Sequence, residues 1–252
     1  MNTPSDVIGR AGVVLRALAR AEPQGATTSD IARITNLARP TVHRLLSSLH
    51  AEGLVDRDEI GRWLLGAELY LLGTAAGARY DVTAIAQPFV RHLSVATGES
   101  AFFSARRGDE TICLIREDGS FPIRSHVLSE GTRFPLGVAS AGLAILAYLP
   151  ATEVDDYLAR NDLTRTFGPQ HAAEAVRERL AKTRQAGYAV NPGLIVEGSW
   201  GMGAAVFGVG ERPRWALSLT GIEQRFGDTR RAELGKLLLR TAHELTKSLE
   251  RR

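Results

Sequence analysis

Apolar residues along this chain fall into two regimes: helical spacing alone up to about residue 53, and a mixture of helical and strand-like runs after it. Val42, Leu45, Leu46 and Leu49 stand at i, i+3, i+4 and i+7, a stripe that covers one face of a helix. Upstream, Ile31 and Ile34 mark the buried edge of a shorter amphipathic segment over 28–35. Val7, Val14, Leu15 and Leu18 mark a longer one over 7–21. Thr27 or Thr28 is placed to cap the short helix, with Asp30 in its first turn, where a negative charge suits the helix dipole. Asn36, tolerant of positive φ, supplies the turn. Pro40 opens the next helix at no hydrogen-bonding cost, and Gly53 closes it. The spacing predicts a helix-turn-helix over 27–53.

Two short strand-like runs follow, 54–57 and 62–66, around the turn 58–61: a β-hairpin wing. Residues 67–78 read as a helix with Leu69, Leu72 and Ala76 on one side, weakened by two glycines. Asp81 is expected to cap a helix to residue 97, with Ile85, Phe89, Leu93 and Ala96 inward. Strands are expected over 100–106, 110–116, 123–128, 188–190, 199–207 and 215–220. Helices are expected over 140–148, 152–159, 172–186 and from a cap at Asp228 to 249. Hairpins flanked by helices, without regular βαβ units, argue an α+β domain with an antiparallel sheet.

With 252 residues, 44% of them hydrophobic, the chain is long enough for two ordinary domains. Its net charge of +3 is a weak hint of nucleic acid, and the hint is local. Residues 1–78 hold eight arginines against eight carboxylates. Between Asn36 and Ala51 there is no carboxylate at all. Pro40, Arg44 and Ser47 lie opposite the leucine stripe, flanked by Thr41 and His43, with Arg39 at the helix start. Arginine can fork onto guanine or phosphate, and hydroxyls reach phosphate oxygens. Arg57 and Arg62 flank the wing turn and are candidates for the phosphate backbone or minor groove. The competing readings are a plain solvated face on a small helical hairpin and, in a different class, a winged helix serving as a protein-interaction module.

The stretch TVHRLLSSLHAEGLVDRD followed by GRWLLG resembles the N-terminal winged helix-turn-helix of the IclR family of bacterial transcriptional regulators. Further on, PLGVASAG, GYAVNPG, SWGMGAAVFGVG and WALSLTG follow the order of that family's effector-binding domain, so the likeness covers nearly the whole chain. The resemblance implies a DNA-binding domain over 1–66 and a linker helix over 67–79 that lies against its counterpart in a dimer. It implies a GAF-like effector-binding and oligomerisation domain over 80–252. The implied partners are a double-stranded DNA operator, a small organic effector and further copies of the chain, as dimer or tetramer. Asn36 stands where the family often has Gly, and Pro40 where Ser or Thr is usual. Asn191 replaces a frequent carboxylate and Gly201 a usual cysteine; Trp200, Met202 and Gly203 are also atypical.

Candidate ligand chemistry centres on Gly137, Val138, Ala139 and Ser140, which lead into a helix whose free N–H groups can seat an anionic oxygen. Ser140 is equally suited to plain capping. Ser218 and Thr220 alternate along a strand and share a face; by resemblance they face the effector pocket. Leu136, Trp200 and Met202 are expected as apolar walls beside Gly201, with Asn191 as a neutral hydrogen-bonding group. No acidic residue occupies the matched positions, so a carboxylate-bearing effector is expected, with an apolar or aromatic body. The alternative is a ligand-independent regulator with its pocket filled by Trp200.

Enzyme signatures are absent from the sequence. Residues 138–142 lack the first Gly of a nucleophile elbow, 198–203 do not have Rossmann spacing, and there is no P-loop. The six histidines are scattered without metal-ligand spacing, and Cys113 is the only cysteine, so neither a metal nor a cofactor is expected. Arg10 and Arg16 break the N-terminal apolar run, and Pro135, Gly137 and Pro150 break the longest uncharged stretch. A cytoplasmic protein without membrane contact is expected.

Overall fold

A computed structural model describes residues 6–80, 82–208 and 210–251 and divides into two compact units, Met1–Tyr80 and Asp81–Arg252. The first unit comprises α1 (Val7–Ala19), α2 (Thr28–Thr35), α3 (Arg39–Ala51), β1 (Val55–Arg57), β2 (Trp63–Leu65) and α4 (Ala67–Tyr80). Local chemistry sets each joint. Thr27 Oγ1 accepts from Asp30 N while the Asp30 carboxylate accepts from Thr27 N, a reciprocal capping box. Asn36 ends α2 in the left-handed region at φ 54°. Pro40 occupies the first turn of α3, and Gly53 follows it at φ +67°. A Cβ on Gly66 would meet Gly53 O at 2.1 Å, so only glycine lets the end of the wing close on the end of α3.

Val14, Leu18, Ile31, Val42, Leu46, Leu49, Val55 and Trp63 form the core of this unit. Two sequence expectations are corrected. Ile34 is exposed and Thr35 is buried in its place, because α2 packs along the i, i+4 line from Ile31. Val7 is exposed, since the buried line of α1 is confined to Val14, Ala17 and Leu18 in its second half.

The second unit begins with α5 (Val82–Thr97), β3 (Ser100–Arg107), β4 (Glu110–Glu117), β5 (Arg133–Pro135) and α6 (Ser140–Ala147). It continues with α7 (Ala151–Arg160), α8 (Thr164–Phe167), α9 (Ala173–Ala186), β6 (Ala189–Pro192), β7 (Ser199–Gly208), β8 (Arg212–Ile222) and α10 (Asp228–Glu250). The strands make one antiparallel sheet in the order β5-β4-β3-β8-β7-β6. On one face, α5 and α10 cover Phe103, Met202, Leu217 and Leu219. On the other, α6 packs on β7 and β8, backed by α9, around Leu143, Ile145, Tyr157 and Val176.

Residues 123–128 are not a strand; the sheet edge is taken by β5. Pro122 enters that stretch, and Ser125 bonds to Ser199 instead of to a ladder partner. Helix α5 buries Val82, Ala86, Val90 and Leu93, leaving Ile85 and Phe89 at the edge and Ala96 exposed, because it packs against both the sheet and α10. Asp81, the expected cap of α5, lies outside the described residues. Asp228 does not cap α10: Gly227 holds the N-cap position, and Asp228 pairs with Arg231 instead.

Candidate functional site

On the first unit, α3 turns Arg39, Pro40, His43, Arg44 and Ser47 outward, with Thr41 half-buried beside them. The side chains of Arg39, His43, Arg44 and Ser47 make no hydrogen bond or ion pair among the described residues, so their donors stay available to a partner. The wing arginines are held differently. Arg57 Nε donates to Gly61 O at 3.1 Å, and its guanidinium lies 5.4 Å from the Trp63 ring centroid. Arg62 Nη1 donates to Gln24 O at 3.1 Å. Each guanidinium keeps further N–H groups free in a preset direction. His50 braces the wing: its Nδ1 is 2.9 Å from Val55 O and its ring meets Trp63 edge-on. Trp63 in turn donates from Nε1 to Thr28 Oγ1, tying the wing to the start of α2.

On the second unit, a cavity opens between the sheet and the N-terminus of α6. Of the residues expected there, Ala139, Ser140, Asn191, Trp200, Gly201, Ser218 and Thr220 line it. Leu136, Gly137, Val138 and Met202 do not. Leu136 and Val138 are buried in the core under α6, and Met202 points through the sheet towards α5 and α10. Strand alternation puts Met202 and Gly201 on opposite faces, so one apolar wall expected from sequence is absent. Trp200 borders the cavity, with its ring packed near Phe226 and 4.9 Å from the Arg231 guanidinium.

The loop before α6 is fixed carbonyl by carbonyl. Tyr157 Oη donates to Leu136 O at 2.7 Å, Arg179 Nη2 to Gly137 O at 3.5 Å, and Asn191 Nδ2 to Val138 O at 2.7 Å. Gly137 has φ +82°, where glycine is favoured. Ser140 makes no side-chain cap, so the first N–H groups of α6 have no hydroxyl covering them. Small residues on β7 bring that helix end close: a Cβ on Gly201 would lie 3.1 Å from Ser140 Oγ, and one on Gly203 2.6 Å from Ser140 O.

Ser218 Oγ and Thr220 Oγ1 are buried and have no hydrogen-bond partner among the described residues. Gly203 and Gly201 stand directly opposite them on β7. Sequence reading missed Ser104, Thr111, Cys113, Thr132 and Ser199, which also line the cavity. Alternation puts Thr111 and Cys113 on one face of β4, but only strand register brings them and Ser104 to the cavity. Burial pushes the Cys113 thiol up to about 12, which keeps it protonated. Among the described residues, no charged side chain lines the cavity. Its volume is about 30 Å³, room for a water or two, against roughly 300 Å³ or more for typical organic-ligand pockets.

A winged helix-turn-helix joined to a sheet domain with a hydroxyl-lined cavity defines a DNA-binding regulator with a sensor-like second domain. Residues 7–59 match the IclR helix-turn-helix domain, and residues 74–247 match the bacterial transcriptional regulator IclR C-terminal domain. The chain belongs to the IclR family of bacterial transcriptional regulators. It is 27% identical over 230 residues to the transcriptional repressor IclR of Escherichia coli (strain K12), covering 90% of this chain and 84% of that one. It is also 27% identical over 205 residues to the HTH-type transcriptional regulator KipR of Bacillus subtilis (strain 168), covering 81% and 82%. Among solved structures, the IclR transcriptional regulator of Alicyclobacillus acidocaldarius superposes with TM-score 0.75 at 25% identity, over 94% of this chain and 96% of that one. An IclR homolog of Microbacterium hydrocarbonoxydans complexed with 4-hydroxybenzoate gives TM-score 0.74 at 22% identity, over 95% and 98%, a likeness of fold. The chain is therefore a transcriptional regulator with a helix-turn-helix and a C-terminal effector domain, not an enzyme. No helix among the described residues is long and apolar enough to cross a membrane.

Proposed function

We propose that this regulator reads a double-stranded DNA operator with α3 and releases or holds it according to a small carboxylate-bearing effector in the second unit. Arg39, Thr41, His43, Arg44 and Ser47 enter the major groove, with Pro40 shaping the helix start, and Arg57 and Arg62 track the backbone beside the wing. One recognition helix reads only a few base pairs, so at least two half-sites and a homodimer or homotetramer are required. Tyr70, Leu71 and Leu72 are exposed apolar side chains on α4, suited to burial against a second copy of this chain.

The observation that carries the effector reading is the pair of orphaned hydroxyls, Ser218 and Thr220, in the same cavity as the start of α6. Buried hydroxyls without partners cost free energy that a ligand's oxygens recover, and the helix N-terminus favours an anion there. Loss of Met202 as a wall and the small volume favour a compact, oxygen-rich acid over a large apolar one. An aromatic acid such as 4-hydroxybenzoate requires the cavity to widen.

A selection of genomic fragments followed by footprinting, repeated with short aliphatic hydroxy acids and with 4-hydroxybenzoate, tests the reading. A footprint of two half-sites, altered by an acid and insensitive to it in Ser218→Ala/Thr220→Val, is the expected result. Failure to retain any fragment points to a protein-interaction module instead. A monomer by sedimentation at micromolar concentration, with and without DNA, removes the oligomer.

A further inference from the structure

The cavity is too small to admit an organic molecule as it stands, so something in its wall must move. Between β4 and β5 the chain runs for fifteen residues, 118–132, without helix or strand, a length of connection that is uncommon unless it serves function. Both ends of this strap are anchored. At the first, the Phe121 ring lies 4.2 Å from the Arg225 guanidinium and 5.8 Å from that of Arg230. Both arginines are themselves held by the buried Glu99 carboxylate, Arg225 through two bonds of 2.7 Å and Arg230 through one of 3.4 Å. Phe121 sits so tightly on Gly98 that a Cβ there would come within 2.7 Å of the ring. Arg124 adds a bond to Gly119 O at 2.9 Å. At the other end, Gly131 N donates to Cys113 O and Cys113 N to Thr132 O, and the Ser129 and Thr132 hydroxyls bond each other.

The middle is held differently. Val127 and Leu128 form part of the cavity wall, and Ile123 is 67% exposed. Among the described residues, the side-chain hydrogen bond that carries this middle stretch across to the facing wall is Ser125 Oγ to Ser199 Oγ, 2.6 Å. Outside lies an open groove lined by Ile123, Ser125, Val196 and Ser199. Val127 and Ser199 line both the groove and the cavity, so the partition is one residue thick there.

We infer that residues 123–128 are the door of the effector cavity and that the Ser125–Ser199 hydrogen bond is its latch. Anchored ends, and a middle held by one neutral side-chain bond among the described residues and by Leu128 packed on Phe102, Cys113 and Phe134, make a hinged flap: opening it breaks that bond and lifts Leu128 out of its apolar seat, while the sheet and α6 stay in place. The door rests on the effector reading for its purpose, but its motion can be measured without a known ligand. Cys113, the only cysteine of the chain, lines the cavity behind the flap. It is a built-in reporter of opening.

The test is the rate at which methyl methanethiosulfonate labels Cys113 in the full-length protein, followed by mass spectrometry. Wild type, Ser125→Ala and Ser199→Ala are compared, each across low urea concentrations. Loss of one neutral hydrogen bond should speed labelling about fivefold in either variant, with little dependence on urea because little surface is exposed. A rate unchanged in both variants, or one that rises with urea as steeply as global unfolding does, overturns the door. Where the variants label faster and the short hydroxy acids and 4-hydroxybenzoate all fail to protect Cys113, the door stands and the effector reading falls. Protection by an acid supports both.

Discussion

Asn191 on β6 donates from Nδ2 to the backbone oxygen of Val138 at 2.7 Å, while its Oδ1 accepts from Leu194 N at 3.0 Å. The amide therefore holds the loop before α6 as well as bordering the cavity. Asn191→Asp removes the donor and sets a carboxylate oxygen against a carbonyl oxygen in a buried site. The variant should lose about 1–3 kcal/mol of stability at neutral pH. Urea unfolding checks this, and the deficit should shrink towards pH 4, where a protonated carboxyl can again donate to Val138 O. An Asn191→Asp protein as stable as wild type at neutral pH removes this tie.

Gly201 and Gly203 differ in what faces them, and the difference predicts an order. At 203 an added Cβ meets the Ser140 backbone oxygen at 2.6 Å, so the helix itself must shift. At 201 it meets Ser140 Oγ at 3.1 Å, which a rotamer change relieves. Gly203→Ala should cost about 1–3 kcal/mol, the range for overpacking a well-packed core, and Gly201→Ala distinctly less. Denaturant midpoints for the two variants decide it; the reverse order contradicts the packing described.

Much of the fold was legible in the sequence because its elements announce their own ends. The capping residues Thr27 and Asp30, the turn at Asn36 and the stop at Gly53 are local, and the structure keeps them. What was not legible depends on partners far along the chain. Ser218 and Thr220 could be placed on one strand face from alternation, but Ser104 and Thr111 join them only through β3–β8 and β3–β4 register. Met202 was misplaced as a cavity wall because a β strand buried on both faces reads as apolar throughout. The 123–128 stretch has the composition of a strand, but Pro122 before it, the Ser125–Ser199 bond and Phe121 packed against Arg225 and Arg230 hold it out of the sheet.

The two arginine sets on the first unit should behave differently on DNA. Arg44 is unpaired among the described residues on α3, whereas Arg57 is pinned to Gly61 O and the Trp63 ring. Arg44→Ala should cost about 1–3 kcal/mol on the selected site and relax discrimination at one base pair. Arg57→Ala should weaken all sequences alike and lower the slope of log affinity against log salt by about one. Salt titrations on matched and mismatched duplexes separate the two. Unchanged binding by Arg44→Ala and by Arg39→Ala together would falsify the recognition-helix assignment.

His171 ties the pH response of the second unit to the loop before α6. It is almost fully buried, and its Nδ1 is 3.0 Å from Phe167 O. Burial, and then the nearby Arg179 charge, hold its pKa below the ordinary value of 6.5. The same Arg179 donates to Gly137 O in the loop before α6. In the unfolded chain the imidazole takes its proton near 6.5, while the folded protein resists it to lower pH. Between those two values the unfolded state binds more protons, so stability rises with pH across that window and is lost as pH falls through it. Asp109 is displaced downward, first by its hydrogen bond from Arg160, and so titrates below this range. Unfolding free energies at about pH 5 and pH 7.5 should therefore differ more in wild type than in His171→Gln, whose side chain does not titrate. Equal pH dependence in the two proteins would show that His171 gains its proton as readily folded as unfolded.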